Sequence, residues 1–142
     1  MDRCGLAGLA LFSAVACGAP QSTLHQLGAP SGSGPIDFQV ENRTSAVINN
    51  LYVAKTSVVR AAPRKAFETG STEQLQLWGD DQLVGSALGA GGKVRVVIAE
   101  PGRYDFRIVD RDAREQHVAG LQIKAGGRYV LELNDGGWRT PN

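Results

Sequence analysis

The stretch Ile36-Asp37-Phe38-Gln39-Val40-Glu41 alternates apolar and polar side chains at every position. Successive side chains of a β-strand point to opposite faces, so the pattern predicts a half-buried strand. The turn residues Asn42-Arg43-Thr44-Ser45 follow, and residues 46–53 predict a second strand. We expect these two strands to form a hairpin, because a short turn joins them.

Alternation returns in the second half of the chain. Residues 93–98 and 104–108 each predict a strand, and we expect the two to pair. Residues 121–123 and 129–133 predict a further hairpin, and residues 75–78 a short strand. About seven strands with frequent turns are typical of an all-β fold, a single small antiparallel β-sandwich. A small closed barrel is the alternative.

Size and charge bound the class of protein. The chain has 142 residues and 15.0 kDa, enough for one domain with a self-sufficient core. Lys and Arg number 15 against 14 Asp and Glu, a formal net charge of +1. Such a balance gives no field that would concentrate nucleic acid, so no nucleic-acid partner is predicted.

Residues 1–16 have the layout of a secretory signal peptide. Arg3 precedes the uncharged run 6–12, and the small residues Ala14-Val15-Ala16 close the segment. The run is shorter than the ~20 residues that a membrane-spanning helix needs. We therefore expect the segment to be removed during export.

The residues Ser13-Ala14-Val15-Ala16-Cys17 resemble the lipobox of bacterial lipoproteins. The resemblance implies that Cys17 is lipidated, becomes the first mature residue and anchors the protein in the membrane. Gly18 after the cysteine implies the outer membrane if the cell is Gram-negative. Cleavage after Ala16 without lipidation is the alternative. Cys4 lies in the signal peptide, so no disulfide is predicted.

Three further segments complete the predicted organisation. Residues 17–34 combine the lipidated cysteine with a stretch rich in Gly, Ala, Pro and Ser that predicts a flexible tether. Residues 35–135 predict the β-sandwich, and residues 136–142 a C-terminal tail. Inside the domain, residues 54–71 lack alternation and predict a mobile loop with a turn of helix, broken at Pro63.

Three short motifs resemble a family of small exported bacterial domains. They are Asn42-Arg43-Thr44 (N-x-T), Trp78-Gly79-Asp80-Asp81-Gln82-Leu83 (W-G-x-D-x-L) and the segment 102–110 (G-x-Y-D-x-R-x-x-D). The resemblance spans residues 36–133 and implies the fold and export. It implies no catalytic residue, and residues 54–77 depart from it by their basic insertion.

The sequence offers few groups for catalysis or metal binding. Its two histidines are His25 in the tether and His117 in a predicted strand, which cannot build a zinc site without mature cysteines. A Ser-His-Asp triad would have to use His117, yet no G-x-S-x-G motif occurs. We predict no catalytic residue, no metal and no cofactor.

Trp78 stands where an aromatic side chain can either cap the core or anchor a ligand. The candidate binding surface comprises Trp78, Asp80, Asp81, Arg60, Arg64 and Lys65. The leading hypothesis is a membrane-tethered envelope lipoprotein that acts as a non-enzymatic binding or structural module, with an envelope protein as partner.

Two alternatives to the binding module stay open. One is an envelope hydrolase or carbohydrate-acting enzyme whose carboxylates converge in space, drawn from Asp80, Asp81, Asp105 and Asp110. Two facing carboxylates in a cleft would favour that enzyme. The other is an inhibitor of an envelope enzyme, which would use the same surface as the binding module.

Overall fold

The computed structural model describes residues 18–141. They form seven strands, two α-helices and one 3-10 helix. The strands are β1 (Thr23–Gln26), β2 (Asp37–Asn42), β3 (Ile48–Lys55), β4 (Lys93–Arg95), β5 (Gly102–Asp110), β6 (Glu115–Ile123) and β7 (Arg128–Leu133). The helices are α1 (Thr56–Ala61), the 3-10 helix Arg64–Phe67 and α2 (Thr72–Trp78).

The strands form two sheets, one of four strands in the order β1-β7-β2-β4 and one of three in the order β3-β5-β6. The prediction of a small β-sandwich of about seven strands is confirmed. The barrel alternative is wrong, since two separate sheets are present. One pair also departs from the antiparallel prediction, because β2 and β7 run parallel.

The predicted strand pairings are wrong. β2 and β3 lie in different sheets, β4 pairs with β2 rather than with β5, and β6 pairs with β5 rather than with β7. Alternation tells which face of a strand is buried but not which strand lies beside it. In a sandwich, successive strands often cross from one sheet to the other.

Asn42 builds the corner at which the chain leaves β2 for the other sheet. Its side chain is fully buried, and its Nδ2 donates to the carbonyl oxygens of Ala46 and Leu88, each at 2.9 Å. Its Oδ1 accepts from the Thr44 N–H and hydroxyl at 2.9 and 2.6 Å. These bonds satisfy buried polar groups and hold the turn in place without any pairing between β2 and β3.

The apolar layer lies between the two sheets. Phe38 of β2 stacks on Phe106 of β5 with ring centroids 5.2 Å apart, and Tyr129 of β7 lies 6.1 Å from Phe38. All three side chains are buried, as are Ile48, Leu51, Ile108, Ile123, Leu131 and Leu133. The three alternating apolar positions of β5 face this layer, so its polar positions face the other side of the three-stranded sheet.

The predicted tether is ordered over much of its length, which corrects that prediction. β1 pairs with β7 from Thr23 to Gln26, and the Ser22 hydroxyl donates to Gln116 Oε1 at 2.6 Å. The edge of β7 would otherwise leave backbone groups unpaired, and the tether supplies their partners. The predicted tail is also held, since Arg139 forms a β-bridge with Glu115.

A helical insertion, residues 56–78, lies between β3 and β4 in the chain. Pro63 lies between α1 and the 3-10 helix, which confirms the predicted break. The predicted strand at residues 75–78 is wrong, because these residues belong to α2. The Ser71 hydroxyl accepts from the Gln74 N–H at 3.0 Å and starts that helix, and Gly79 ends it with φ of 68°.

Candidate functional site

The helical insertion covers the outer face of the three-stranded sheet. Thr56 of α1 and Trp78 of α2 contact polar side chains there, which come from Asp105 and His117. Arg107 shares that face because it alternates with the apolar positions of β5. We call these five residues the polar layer, in contrast to the apolar layer between the sheets.

Asp105 is the centre of the polar layer and is only 3% exposed. Its Oδ1 accepts from the Thr56 hydroxyl at 2.6 Å and from the Gly120 N–H at 2.9 Å. His117 Nε2 lies 2.8 Å from its Oδ2. Burial alone would raise the pKa of Asp105, but the hydrogen bonds from Thr56, Gly120 and His117 outweigh it and hold the pKa below its ordinary value.

A bulge in β6 supplies the backbone donor to Asp105. Tyr104 pairs with Leu121 and Phe106 with Val118, so β6 has one residue more than β5 in this interval. Gly120 lies in the extra length with φ of 70°, a conformation that favours glycine. The bulge therefore fixes the carboxylate from the sheet itself.

His117 lies in β6, as predicted, with its ring between Asp105 and Trp78. The His117 and Trp78 rings meet edge to face, with centroids 5.5 Å apart and planes at 84°. A Ser-His-Asp triad would need a hydroxyl on the second ring nitrogen, Nδ1. Within residues 18–141 no hydroxyl is hydrogen-bonded to that nitrogen, and Thr56 bonds to the aspartate instead.

Trp78 is 5% exposed, so it is buried as a capping residue would be. It lies outside the apolar cluster between the sheets and packs on the outer face instead. The polar layer therefore gains an aromatic wall from α2.

A pocket of about 70 Å³ opens beside Trp78, between the insertion, the outer face of the sheet and the C-terminal residues. Arg107 and Glu115 form part of its wall, where Arg107 Nε and Nη2 donate to the Glu115 carboxylate at 3.1 and 2.8 Å. Arg107 also lies 5.1 Å from the ring of Tyr52. The side chains that line the pocket are Phe67, Gln74, Trp78, Arg107, Glu115, His117 and Arg139.

Two buried donors beside the pocket lack acceptors among residues 18–141. Gln74 is 7% exposed, and its Oε1 accepts from the Gly70 N–H at 2.9 Å, which fixes the orientation of the amide. In the described part of the chain, nothing accepts from Gln74 Nε2 or from Trp78 Nε1. Buried polar groups normally have hydrogen-bond partners. The unpaired donors therefore distinguish this pocket from an ordinary surface depression.

The second feature is a groove of about 420 Å³ between α1 and α2. Val58, Ala61, Pro63 and Leu77 give it apolar walls, and Val58 is 49% exposed. Three exposed cations stand next to this wall in the chain, namely Arg60, Arg64 and Lys65. None of them forms an ion pair with another residue of the range 18–141. We call the groove and these cations the insertion surface.

The two acids of the predicted surface, Asp80 and Asp81, have different environments. Asp81 accepts from the N–H groups of Leu51 and Leu83 at 2.9 and 3.0 Å, so it joins β3 to the loop after α2. Asp80 is exposed. Neither lines the pocket beside Trp78 or the groove, and the basic residues belong to a different part of the insertion from Trp78.

Asp105 and Asp110, the other acids of the enzyme hypothesis, hold their own neighbours. Asp110 is 2% exposed. Its Oδ2 accepts from Arg114 Nε at 2.8 Å, and its Oδ1 accepts from the Arg114 backbone N–H at the same distance. Asp105 is occupied by Thr56, Gly120 and His117. No hydrogen bond joins any two of the four candidate acids in residues 18–141.

Sequence reasoning missed the pocket residues Gln74, Arg107, Glu115 and Arg139. One signal for part of the set was present, since Ser71-Thr72-Glu73-Gln74 matches the capping box S-x-x-Q that starts helices. It would have placed α2 and brought Gln74 and Trp78 to one helix. The charged residues of β5 and β6 carry no comparable signal, because their spacing is that of any solvated strand face.

No family model, no curated protein and no solved structure matches the chain. The resemblance to small exported domains therefore stays a prediction. The predicted signal peptide and the predicted lipidation site Cys17 lie outside the described residues. Within residues 18–141 no helix is long and apolar enough to cross a membrane, and no group of three or more His, Cys, Asp or Glu side chains could hold a metal ion.

Proposed function

We propose that the protein is a cell-envelope lipoprotein, anchored through Cys17, that acts as a non-enzymatic binding module. The insertion surface binds an acidic face of another envelope protein. The observation that carries this proposal is the exposed apolar groove, next to whose wall residues in the chain stand three exposed cations that form no ion pair within residues 18–141. An interface needs apolar area that can be desolvated and charges that select the partner.

The charge distribution supports an acidic partner. Residues 56–67 contain Arg60, Arg64 and Lys65 and no acid, and the exposed Glu68 follows them. Glu73 lies on the far wall of the groove and gives it one opposing charge. Exposed cations near an interface speed the encounter with an acidic protein and disfavour a basic one. If the partner is an enzyme whose site is blocked, the protein is an inhibitor by the same surface.

The partner is tested by photo-crosslinking in living cells. A photoreactive amino acid replaces Val58 in the groove, and a matched one replaces Lys93, which is exposed on the four-stranded sheet. We expect a crosslinked acidic protein from position 58 only. The triple variant Arg60→Glu, Arg64→Glu, Lys65→Glu should lose it.

A matched triple variant controls for net charge. Arg103→Glu, Arg111→Glu, Lys124→Glu makes the same charge change at exposed positions away from the groove. It should keep the crosslink. Equal capture from position 93, or capture that survives the first triple variant, would contradict the proposed surface.

The anchor needs its own experiment. Cells that express the full chain are fed an alkyne-bearing fatty acid, and the protein is tested for incorporated lipid. The wild type should carry the label, and Cys17→Ser should carry none and leave the membrane fraction. An unlabelled wild type would mean cleavage after Ala16 without lipidation.

A further inference from the structure

We propose that the pocket beside Trp78 binds the carboxylate group of a ligand. This pocket is separate from the groove of the insertion surface, so the inference does not rest on the proposed protein partner. Three observations support it, which are the unpaired buried donors, the charge balance of the lining residues and the size of the space.

The first observation is that two buried N–H donors have no acceptor among residues 18–141. Gln74 Nε2 and Trp78 Nε1 are neutral N–H groups on buried side chains, and both side chains line the pocket. Leaving such donors unpaired is costly, whereas a bound oxygen atom would satisfy them. A carboxylate offers two acceptor oxygens and no donor, which suits a pair of N–H groups.

The charges select a group with a single negative charge. Arg107 is neutralised by Glu115, and His117 Nε2 is hydrogen-bonded to Asp105, which does not line the pocket. Arg139 is exposed at the rim and has no ion pair within residues 18–141. One uncompensated cation matches one carboxylate, and an Arg side chain can bind it with two parallel hydrogen bonds.

The size of the space limits what enters. A volume of about 70 Å³ is far below the several hundred Å³ of pockets that enclose a whole small-molecule ligand. It admits a few heavy atoms, since one water needs roughly 10 to 15 Å³ on a similar measure. The pocket therefore holds the end of a chain or a small free acid.

The test uses the indole N–H resonances of the full-length, isotope-labelled protein. Its two tryptophans give two indole signals, and Trp138, whose Nε1 already donates to Asp135, serves as the internal reference. The probes are sodium acetate, N-acetyl-alanyl-alanine and the C-terminal amide of that dipeptide. We expect the two acids to shift the Trp78 signal and the amide to leave it unchanged.

Arg139→Gln should weaken the binding of the acids about tenfold, as expected for the loss of one charge-assisted contact. Arg111→Gln is the matched control, since Arg111 is also exposed and lies outside the pocket. Because both arginines are exposed, neither change should unfold the protein, and circular dichroism checks this.

The relative affinities identify the source of the carboxylate. Tighter binding of the dipeptide than of acetate supports a peptide terminus, and equal binding supports a small free acid. The proposal is overturned if the amide shifts the Trp78 signal as much as the acid does. It is also overturned if neither acid moves that signal, or if Arg111→Gln weakens binding as much as Arg139→Gln.

Discussion

The domain has two layers of packed side chains built on opposite principles. The apolar layer between the sheets is held by shape and by exclusion of water, as the stacked rings of Phe38 and Phe106 illustrate. The polar layer beneath the helical insertion is held by hydrogen bonds that converge on Asp105. The first layer needs only apolar side chains of suitable volume, whereas the second needs particular atoms at particular places.

Removing a ring from the apolar layer should have the largest effect. Phe106→Ala leaves a cavity against Phe38 in a site with no exposed surface, and we expect a loss of about 3 to 5 kcal/mol in the free energy of unfolding. Urea unfolding measures it. Phe106→Leu, which keeps most of the volume, should lose much less. Equal losses in the two variants would mean that the layer is not closely packed.

Removing the carboxylate from the polar layer should cost somewhat less. Asp105→Ala leaves the Thr56 hydroxyl and the Gly120 N–H without their acceptor. We expect a loss of about 2 to 3 kcal/mol in the free energy of unfolding. Asp80→Ala is the control, and this exposed acid should change stability by less than about 0.5 kcal/mol. If both variants behave alike, the hydrogen bonds to Asp105 do not stabilise the layer.

Lowering the pH should destabilise the polar layer but not the apolar layer, because only the polar layer depends on an ionised carboxylate. The pKa of Asp105 lies below its ordinary value of 3.8, so its carboxylate stabilises the fold above that pH. This contribution is lost as the pH falls below 3.8 and through the lowered pKa of the folded state. Urea unfolding from neutral pH to about pH 2 should show a shallower acid loss in Asp105→Asn than in the wild type.

The start of α2 should matter less than either layer. Ser71→Ala removes the hydroxyl that accepts from the Gln74 N–H, with an expected loss of about 1 kcal/mol. Ser71→Thr keeps an acceptor there and should lose less. Thermal unfolding compares the two variants. A larger loss from Ser71→Ala than from Asp105→Ala would place the main strength of the polar layer in α2.

The smallest change in the free energy of unfolding is expected from a substitution in β1, which contacts only the margin of the apolar layer. Leu24 is partly buried against the apolar cluster. Leu24→Ala should change the free energy of global unfolding by less than about 1 kcal/mol, while it speeds amide hydrogen exchange in β1. Slowed or unchanged exchange there would show that β1 unfolds only with the whole domain.

The apolar layer was largely readable from the sequence. Phe38, Phe106 and Tyr129 each stand in an alternating run, and period-two alternation is set by the strand itself. The neighbours of each strand were not readable. β2 pairs with β7 over about ninety intervening residues, and no local pattern encodes such a contact.

The polar layer could not be predicted for a related reason. Asp105, Arg107 and His117 have the spacing of a solvated strand face. The distant helical insertion covers that face and buries Asp105, whereas Arg107 is half-buried and His117 is exposed. β1 escaped notice because its four residues lie within a stretch of small and polar residues. Its order comes from the open edge of β7 rather than from its own composition.

The pairing of β1 sets the distance between the domain and any anchor at Cys17. Residues 18–22 lie between Cys17 and β1. Five residues reach at most about 18 Å when fully extended, so the folded domain would rest close against the membrane. If β1 and the loop after it detached, residues 18–35 would reach about 60 Å. Given such an anchor, a few backbone hydrogen bonds to β7 would decide whether the domain lies at the lipid surface or extends away from it.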